Sequence, residues 1–244
     1  MPRYFIKLAY NGSNYHGWQI QPNGNSVQET IEKSMSILLG KPIAIVGAGR
    51  TDAGVHAQEM IAHFNIENTI ENTEELCYKL NLFLPKDIAV YSIYIVKDNM
   101  HARFSARSRT YQYFVCTSKN VFKGNMSMRV PIDTDFDTMN KAANKLFDYI
   151  DFSSFSKQHT DTKTNNCKIM QADWKQISED TWVFTIQADR FLRNMVRAIV
   201  GTLLDVGSHK IGIDEFCHII EQKNRCKAGT SVPAKALFLT KVEY

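Results

Sequence analysis

The sequence predicts an α+β fold built of two ferredoxin-like, or RNP-like, α/β halves, residues 1–104 and 105–244, with a cleft between them. Three observations point there. Apolar residues alternate over short stretches, as at 3–10, 88–96 and 182–188, the period of a half-buried strand. Between such stretches stand segments with helical spacing and capping residues. The first hundred residues run strand, helix, strand, strand, helix, strand, the order of a split β-α-β unit. The second half repeats that order without repeating the sequence. Two such halves facing each other leave a cleft, the usual place for a site.

Each element has its own reason. Residues 3–10 put Tyr4, Ile6, Leu8 and Tyr10 on one face of a strand. Asn11-Gly12-Ser13-Asn14 is a turn. Tyr15 to Gln19 and Gln21 to Asn25 follow as loop; its Tyr, His, Trp and Gln suit contact with a ligand, though Trp18 is equally explained by packing beneath the loop. Ser26 with Glu29 makes a capping box, and Val27, Ile31, Met35, Leu38 and Leu39 share the face of the helix that Lys41-Pro42 ends. Ile43 to Val46 reads as a short buried strand, and Gln58 to Ile66 as another. Thr73 is expected to cap a helix reaching Leu84, with Glu74 and Glu75 in the first turn as the helix dipole favours, and Pro85 stops it. Ile88 to Val96 is a strand.

The second half opens on a strand at 107–117. A helix beginning at 133–137 runs to about Ile150 with Met139, Ala143, Leu146 and Phe147 inward. Ser153 to Thr164 is a polar loop. Strands at Lys168–Gln176 and Trp182–Ala188 precede a helix that Asp189 is expected to cap and that begins near Phe191. A short helix at 214–223 and a strand at 236–243 close the chain.

Composition sets bounds. The chain has 244 residues, 44% hydrophobic and 22% charged, with a net charge of +4 and a pI near 8.7. That is ordinary for a globular protein with a sizeable core, and it permits an anionic partner without demanding one. Five cysteines are scattered without a CxxC pair, which argues against zinc and against a disulfide framework and fits a reducing, cytoplasmic compartment. No run is long enough to span a membrane, and no signal peptide is apparent.

Three stretches carry chemistry. The first is Gly47 to His56, GAGRTDAGVH. Its glycines let a tight loop form at a strand end, presenting Asp52 on a firm base, with Arg50 two residues away. An ordinary Asp-Ala-Gly turn explains the same residues. It is not a phosphate loop, since neither GK[ST] nor GxGxxG is present. In the second, His101 to Tyr113, the cations Arg103, Arg107 and Arg109 interleave with Phe104, Tyr111 and Tyr113. The guanidinium fork matches phosphate and aromatic rings stack on exposed bases, so this stretch favours nucleic acid over a merely solvated strand edge. In the third, Arg193 and Arg197 are four apart on one helical ridge that continues to Gly201. Arg197 is expected to be partly buried beside a close backbone contact, and a buried cation needs a counter-charge, either a structural carboxylate or Asp52.

These stretches resemble the signatures of the tRNA pseudouridine synthase A family. Gly49-Arg50-Thr51-Asp52-Ala53-Gly54-Val55-His56 resembles its catalytic motif. Tyr15 to Gln19 and Ser26 to Glu29 resemble its N-terminal motifs, His101 to Ala106 with Arg109 to Tyr113 the central one, and Phe191 to Gly201 the C-terminal one. Ala236 stands where the family usually has glycine. The resemblance implies two α/β halves sharing a mostly antiparallel sheet in a homodimer. It implies a tRNA substrate and pseudouridine as product in the anticodon stem-loop, around positions 38–40. It makes Asp52 the catalytic aspartate, Tyr111 the ring that stacks on the target base, and Arg197 the partner of the aspartate. Arg50, inside the catalytic motif, would help extrude the uridine or fill its place. Neither cofactor nor metal is called for, because the reaction is neither a redox step nor a hydrolysis.

Two other functions fit part of the pattern. A non-catalytic RNA-binding module accounts for the arginines and aromatics but not for the glycine-framed Asp52. A metal-dependent hydrolase would use Asp52, His56 and His16, but Gly54 argues against the helix that ligation four residues apart requires.

Overall fold

The computed structural model describes residues 1–22, 24–157 and 164–244. The expected loops at 21–25 and 153–164 therefore fall partly outside the described residues, at position 23 and at 158–163. The fold is α+β, with mostly antiparallel strand pairing and five α-helices among the described residues. It divides into two compact units, Met1–Arg107 with Phe238–Tyr244, and Ser108–Leu237.

In the first unit the strands β1 (Arg3–Tyr10), β2 (Val46–Gly47), β3 (His56–Asn65) and β4 (Ile88–Val96) are antiparallel to their neighbours. The order is β4-β1-β3, and β3 continues to a parallel partner through His56↔Phe238 and Ala57↔Leu239. Central β1 is buried on both faces. Tyr4, Ile6 and Leu8 lie on one side, and Phe5 on the other packs on Tyr94 and Tyr244 at 6.0 and 5.0 Å. Helix α1 (Val27–Leu39) buries Val27, Ile31 and Met35. Ser26 caps it by accepting from the Glu29 amide, but only half of the expected box forms, because the Glu29 carboxylate pairs with Lys33 at 2.6 Å. Helix α2 (Thr73–Phe83) packs Leu76 and Leu80 inward; its cap is Asn72, one residue before the expected Thr73. The strand expected over 43–46 shrinks to Val46–Gly47, and Val46 is exposed although Ile43 and Ile45 are buried.

The second unit has strands β5 (Ser108–Cys116), β6 (Met128–Arg129), β7 (Ile169–Ser178) and β8 (Thr181–Ala188), ordered β5-β8-β7, with β6 parallel to β5. Helix α3 (Phe136–Asn144) is capped by Asp135 and lays Phe136 flat on Trp182, ring centroids 4.1 Å apart. It is shorter than expected; a 3-10 turn follows it, and Phe147 faces out. The helix expected from Phe191 begins only at Met195, as α4 (Met195–Gly207). Asp189 does not cap it. Its carboxylate accepts from the Lys168 and Arg190 amides instead, and Asn194 enters the helix with a positive φ of 67°. Arg193 thus precedes the helix and shares no ridge with Arg197. Helix α5 (Ile213–Glu221) buries Phe216, Ile219 and Ile220. The last strand, β9 (Leu237–Glu243), is the parallel partner of β3.

Candidate active site

The Asp52 loop is fastened from several sides within the first unit. Its entry is sealed where the Ala48 amide donates to the Ile61 carbonyl at 2.7 Å. Thr51, nearly buried, is held twice: its hydroxyl meets the Tyr10 phenol at 2.8 Å and its carbonyl accepts from the Trp18 amide at 3.2 Å. The Val55 amide returns to the Asp52 carbonyl at 3.1 Å, closing a turn in which Gly54 takes a φ of 78°, a conformation that costs glycine nothing. The Gly54 amide donates to the Tyr15 carbonyl at 3.2 Å. Buried His56 follows, its Nδ1 accepting from the Gly12 amide at 3.1 Å and its ring stacked on Phe238 at 4.5 Å.

So the loop from Tyr15 to Trp18 is a brace. Trp18 is 2% exposed, which answers whether it packs or meets a ligand: it packs. Tyr15 is fixed in turn by donating its phenol to Asp87 at 2.7 Å, and burial, then Asp87, push its pKa well up. The sequence reading missed this scaffold, although Gly17 was its visible signal. Asp52 itself is half-buried and Arg50 is exposed.

In the second unit Tyr111 sits on β5 opposite Ile186, half-buried, with the edge of Phe191 against it at 5.2 Å and 89°. Its neighbour Tyr113 is different. It is wholly buried, donates to the Pro233 carbonyl at 3.0 Å, and has a pKa raised by burial against the opposing pull of Arg197. Tyr113 is therefore a core residue, not a base-stacking platform. Arg197, in the first turn of α4, is half-buried, as the sequence predicted. Its Nε donates to the Val232 carbonyl at 2.7 Å, and its own carbonyl accepts from the Val232 amide at 3.2 Å. The close backbone contact expected at Gly201 is present: a β-carbon there would lie 1.9 Å from the Thr230 carbonyl oxygen. Buried Ala236 ends a 3-10 turn just before β9.

The three arginines of the basic stretch differ. Arg103 lies over the Phe104 ring at 5.8 Å, both side chains exposed, in a turn that His101 organises by accepting from two amides. Arg107 is exposed. Arg109 is half-buried and donates to the Asp189 carbonyl at 2.8 Å. Among the described residues no three His, Cys, Asp or Glu side chains cluster as metal ligands, and no helix is long and apolar enough to cross a membrane.

A family model described as tRNA pseudouridine synthase matches residues 7–105 and 142–244. Residues 106–141, Tyr111 among them, lie outside the match. Proteins named tRNA pseudouridine synthase A are similar over the whole length. That of Parabacteroides distasonis is 61% identical, covering 100% of this chain and 96% of its own. Those of Bacteroides fragilis and Bacteroides thetaiotaomicron are 59% and 58% identical, covering 99% and 100% of this chain and 96% and 91% of their own.

Proposed function

The chain belongs to the tRNA pseudouridine synthase family, isomerases that turn uridine of tRNA into pseudouridine, and on that premise we propose that it acts on the anticodon stem-loop around positions 38–40 with Asp52 as its catalytic residue. The observation that carries the assignment is the bracing of Asp52. Thr51 and Gly54 on either side of it are tied to Tyr10, Trp18 and Tyr15, so a half-buried carboxylate is held with little freedom. An ordinary surface turn has no need of such support.

The chemistry asks for these residue types. The N1–C1′ bond breaks, the base turns, and a C5–C1′ bond forms; C5 gives up its proton and N1 takes one. Atoms and electrons balance without a redox partner, a metal or a cofactor. The base must leave the stack to turn. Asp52 supplies negative charge, as a nucleophile or by stabilising positive charge on the sugar. Tyr111, steadied by the Phe191 edge, offers its ring to the flipped base. Arg197 pairs with Asp52, and Arg50, exposed beside it, takes the place the uridine leaves. Arg103, Arg107 and Arg109 track phosphates. The reading includes two α/β halves that share a sheet across the cleft, a homodimer and a cytoplasmic setting.

The test is pseudouridine mapping on unmodified tRNA treated with pure protein. Conversion within positions 38–40 is expected. RNA left unchanged at every uridine would overturn the function, and conversion elsewhere only would overturn the site.

A further inference from the structure

The turn that joins β5 to β6 has no part in the site described above. It lies within residues 106–141, which the family model passes over. At its tip Phe122 is 95% exposed and Val121 79% exposed. Single exposed apolar residues need no explanation, but the backbone of this tip is tied by several hydrogen bonds. The Asn120 side chain accepts from the Phe122 and Lys123 amides at 3.0 and 3.1 Å. The Ser127 hydroxyl donates to the Lys123 carbonyl at 2.8 Å, and the Lys235 ammonium to the Gly124 carbonyl at 2.6 Å. The Lys123 ammonium donates to the Thr181 hydroxyl at 3.0 Å. An aromatic ring is thus presented to solvent from a hydrogen-bonded backbone, and ordering that backbone beforehand lowers the entropy cost of binding through it.

The surroundings are cationic. No acidic residue occurs from Thr117 to Ile132. Lys119 and Arg129 line one open depression with Thr117, Ser118 and Ile132, and among the described residues neither cation has an ion-pair or side-chain hydrogen-bond partner. Of the acids around it, Asp180 is engaged by the hydroxyls of Ser118, Ser178 and Thr181, with Lys123 at 4.0 Å, while Glu179 and Asp133 flank the stretch. Protein interfaces are depleted in lysine, which this turn carries at Lys119 and Lys123. A ring flanked by cations and hydroxyls is what nucleic-acid surfaces use.

We propose that the β5–β6 turn is a second RNA-binding surface, on which Phe122 stacks against an unpaired base of the tRNA while Lys119 and Arg129 hold flanking phosphates. This rests on tRNA being the substrate. Tyr111 and Thr117 are six residues apart along the strand direction, roughly 20 Å at strand rise, so the surface meets RNA away from the base that Tyr111 would receive.

Binding of a tRNA transcript by fluorescence anisotropy tests it. Phe122→Ala is expected to raise Kd about 5- to 30-fold, within the range of one aromatic–base stack, and Phe122→Tyr to restore binding to within about twofold. Phe122 is 95% exposed, so its truncation is expected to leave the melting temperature unchanged. Lys119→Ala with Arg129→Ala is expected to reduce the slope of log K against log salt by about one to two. A photo-reactive benzoylphenylalanine at position 122 is expected to couple to tRNA. An unchanged Kd for Phe122→Ala, or coupling only to a second copy of the chain, overturns the surface. Wild-type protein that neither binds tRNA nor makes pseudouridine overturns the function instead, and the two failures are told apart by that control.

Discussion

The carbonyl oxygen of Thr51 lies so close to Gly17 that a β-carbon on Gly17 would sit 2.4 Å from it. Gly17 also holds a φ of 97°, which side chains rarely adopt. Gly17→Ala therefore combines a clash with backbone strain, and is expected to destabilise the fold by about 1–3 kcal/mol and to abolish turnover by displacing Asp52. Nothing lies within 4 Å of a β-carbon on Gly49, so Gly49→Ala should leave the melting temperature nearly unchanged. Thermal melts of the two variants check this; equal melting temperatures would refute the brace.

Asp52→Asn keeps the side chain's shape and removes its charge. Turnover on tRNA is expected to fall by about a thousandfold or more, with binding retained. Single-turnover assays beside a binding isotherm separate the two. Turnover near wild type would end the assignment of Asp52.

For Arg197 the outcome depends on two separate jobs. Its Nε bond to the Val232 carbonyl is structural, so Arg197→Met and Arg197→Lys should each cost about 1–3 kcal/mol. Lysine retains the charge but not the fork, and is expected to restore little activity. A double-mutant cycle between Arg197→Met and Asp52→Asn isolates the pairing. Strictly additive effects on stability would remove Arg197 as the partner of Asp52.

The basic stretch should behave unevenly. Exposed Arg103 and Arg107 are expected each to lower the salt slope of tRNA binding by about one when changed to Ala. Arg109, which also donates to the Asp189 carbonyl, should cost stability in addition to lowering the slope. Titrations at several salt concentrations read the first effect and melts the second; slopes that do not move in any variant would exclude this stretch as an RNA track.

Acid should loosen the first unit through His63. It is 5% exposed, lies 4.5 Å from the His101 ring, and accepts from the Ala102 amide at 3.2 Å. Burial, then the charges of His101 and Arg3, lower its pKa to about 4. A histidine held neutral contributes stability that is complete above the unfolded value near 6.5 and is lost as pH falls toward 4. Urea midpoints should decline across that window, and His63→Phe should flatten the decline while lowering the plateau, because the Ala102 amide loses its acceptor. A decline of the same steepness in the variant would point to other groups.

Most elements were legible because each strand or helix advertises its period locally. What was not legible depended on contacts far along the chain. Asp189 looks like a cap, but the Lys168 amide, brought alongside by strand pairing, claims its carboxylate, and α4 waits for Asn194, whose side chain donates to Ser231 at 2.6 Å. Tyr111 and Tyr113 look alike in sequence, and only the Pro233 carbonyl and complete burial separate them. The tight loop that carries Asp52 was legible from its glycines. The brace under it was not, since Tyr10, Trp18 and Thr51 meet only after the fold forms.

The pairing of β3 with β9 has a consequence for how the protein is made. Phe238–Tyr244 belong to the first unit yet are translated after the 130 residues of the second. At ordinary synthesis rates that is a delay of about 6–26 s. During it the edge of β3 at His56 and Ala57 stays open, and the ring that His56 stacks on does not yet exist. A ribosome-bound fragment therefore carries the whole Asp52 sequence without its last anchor, and the nascent chain gains a finished loop only when Phe238 has left the exit tunnel.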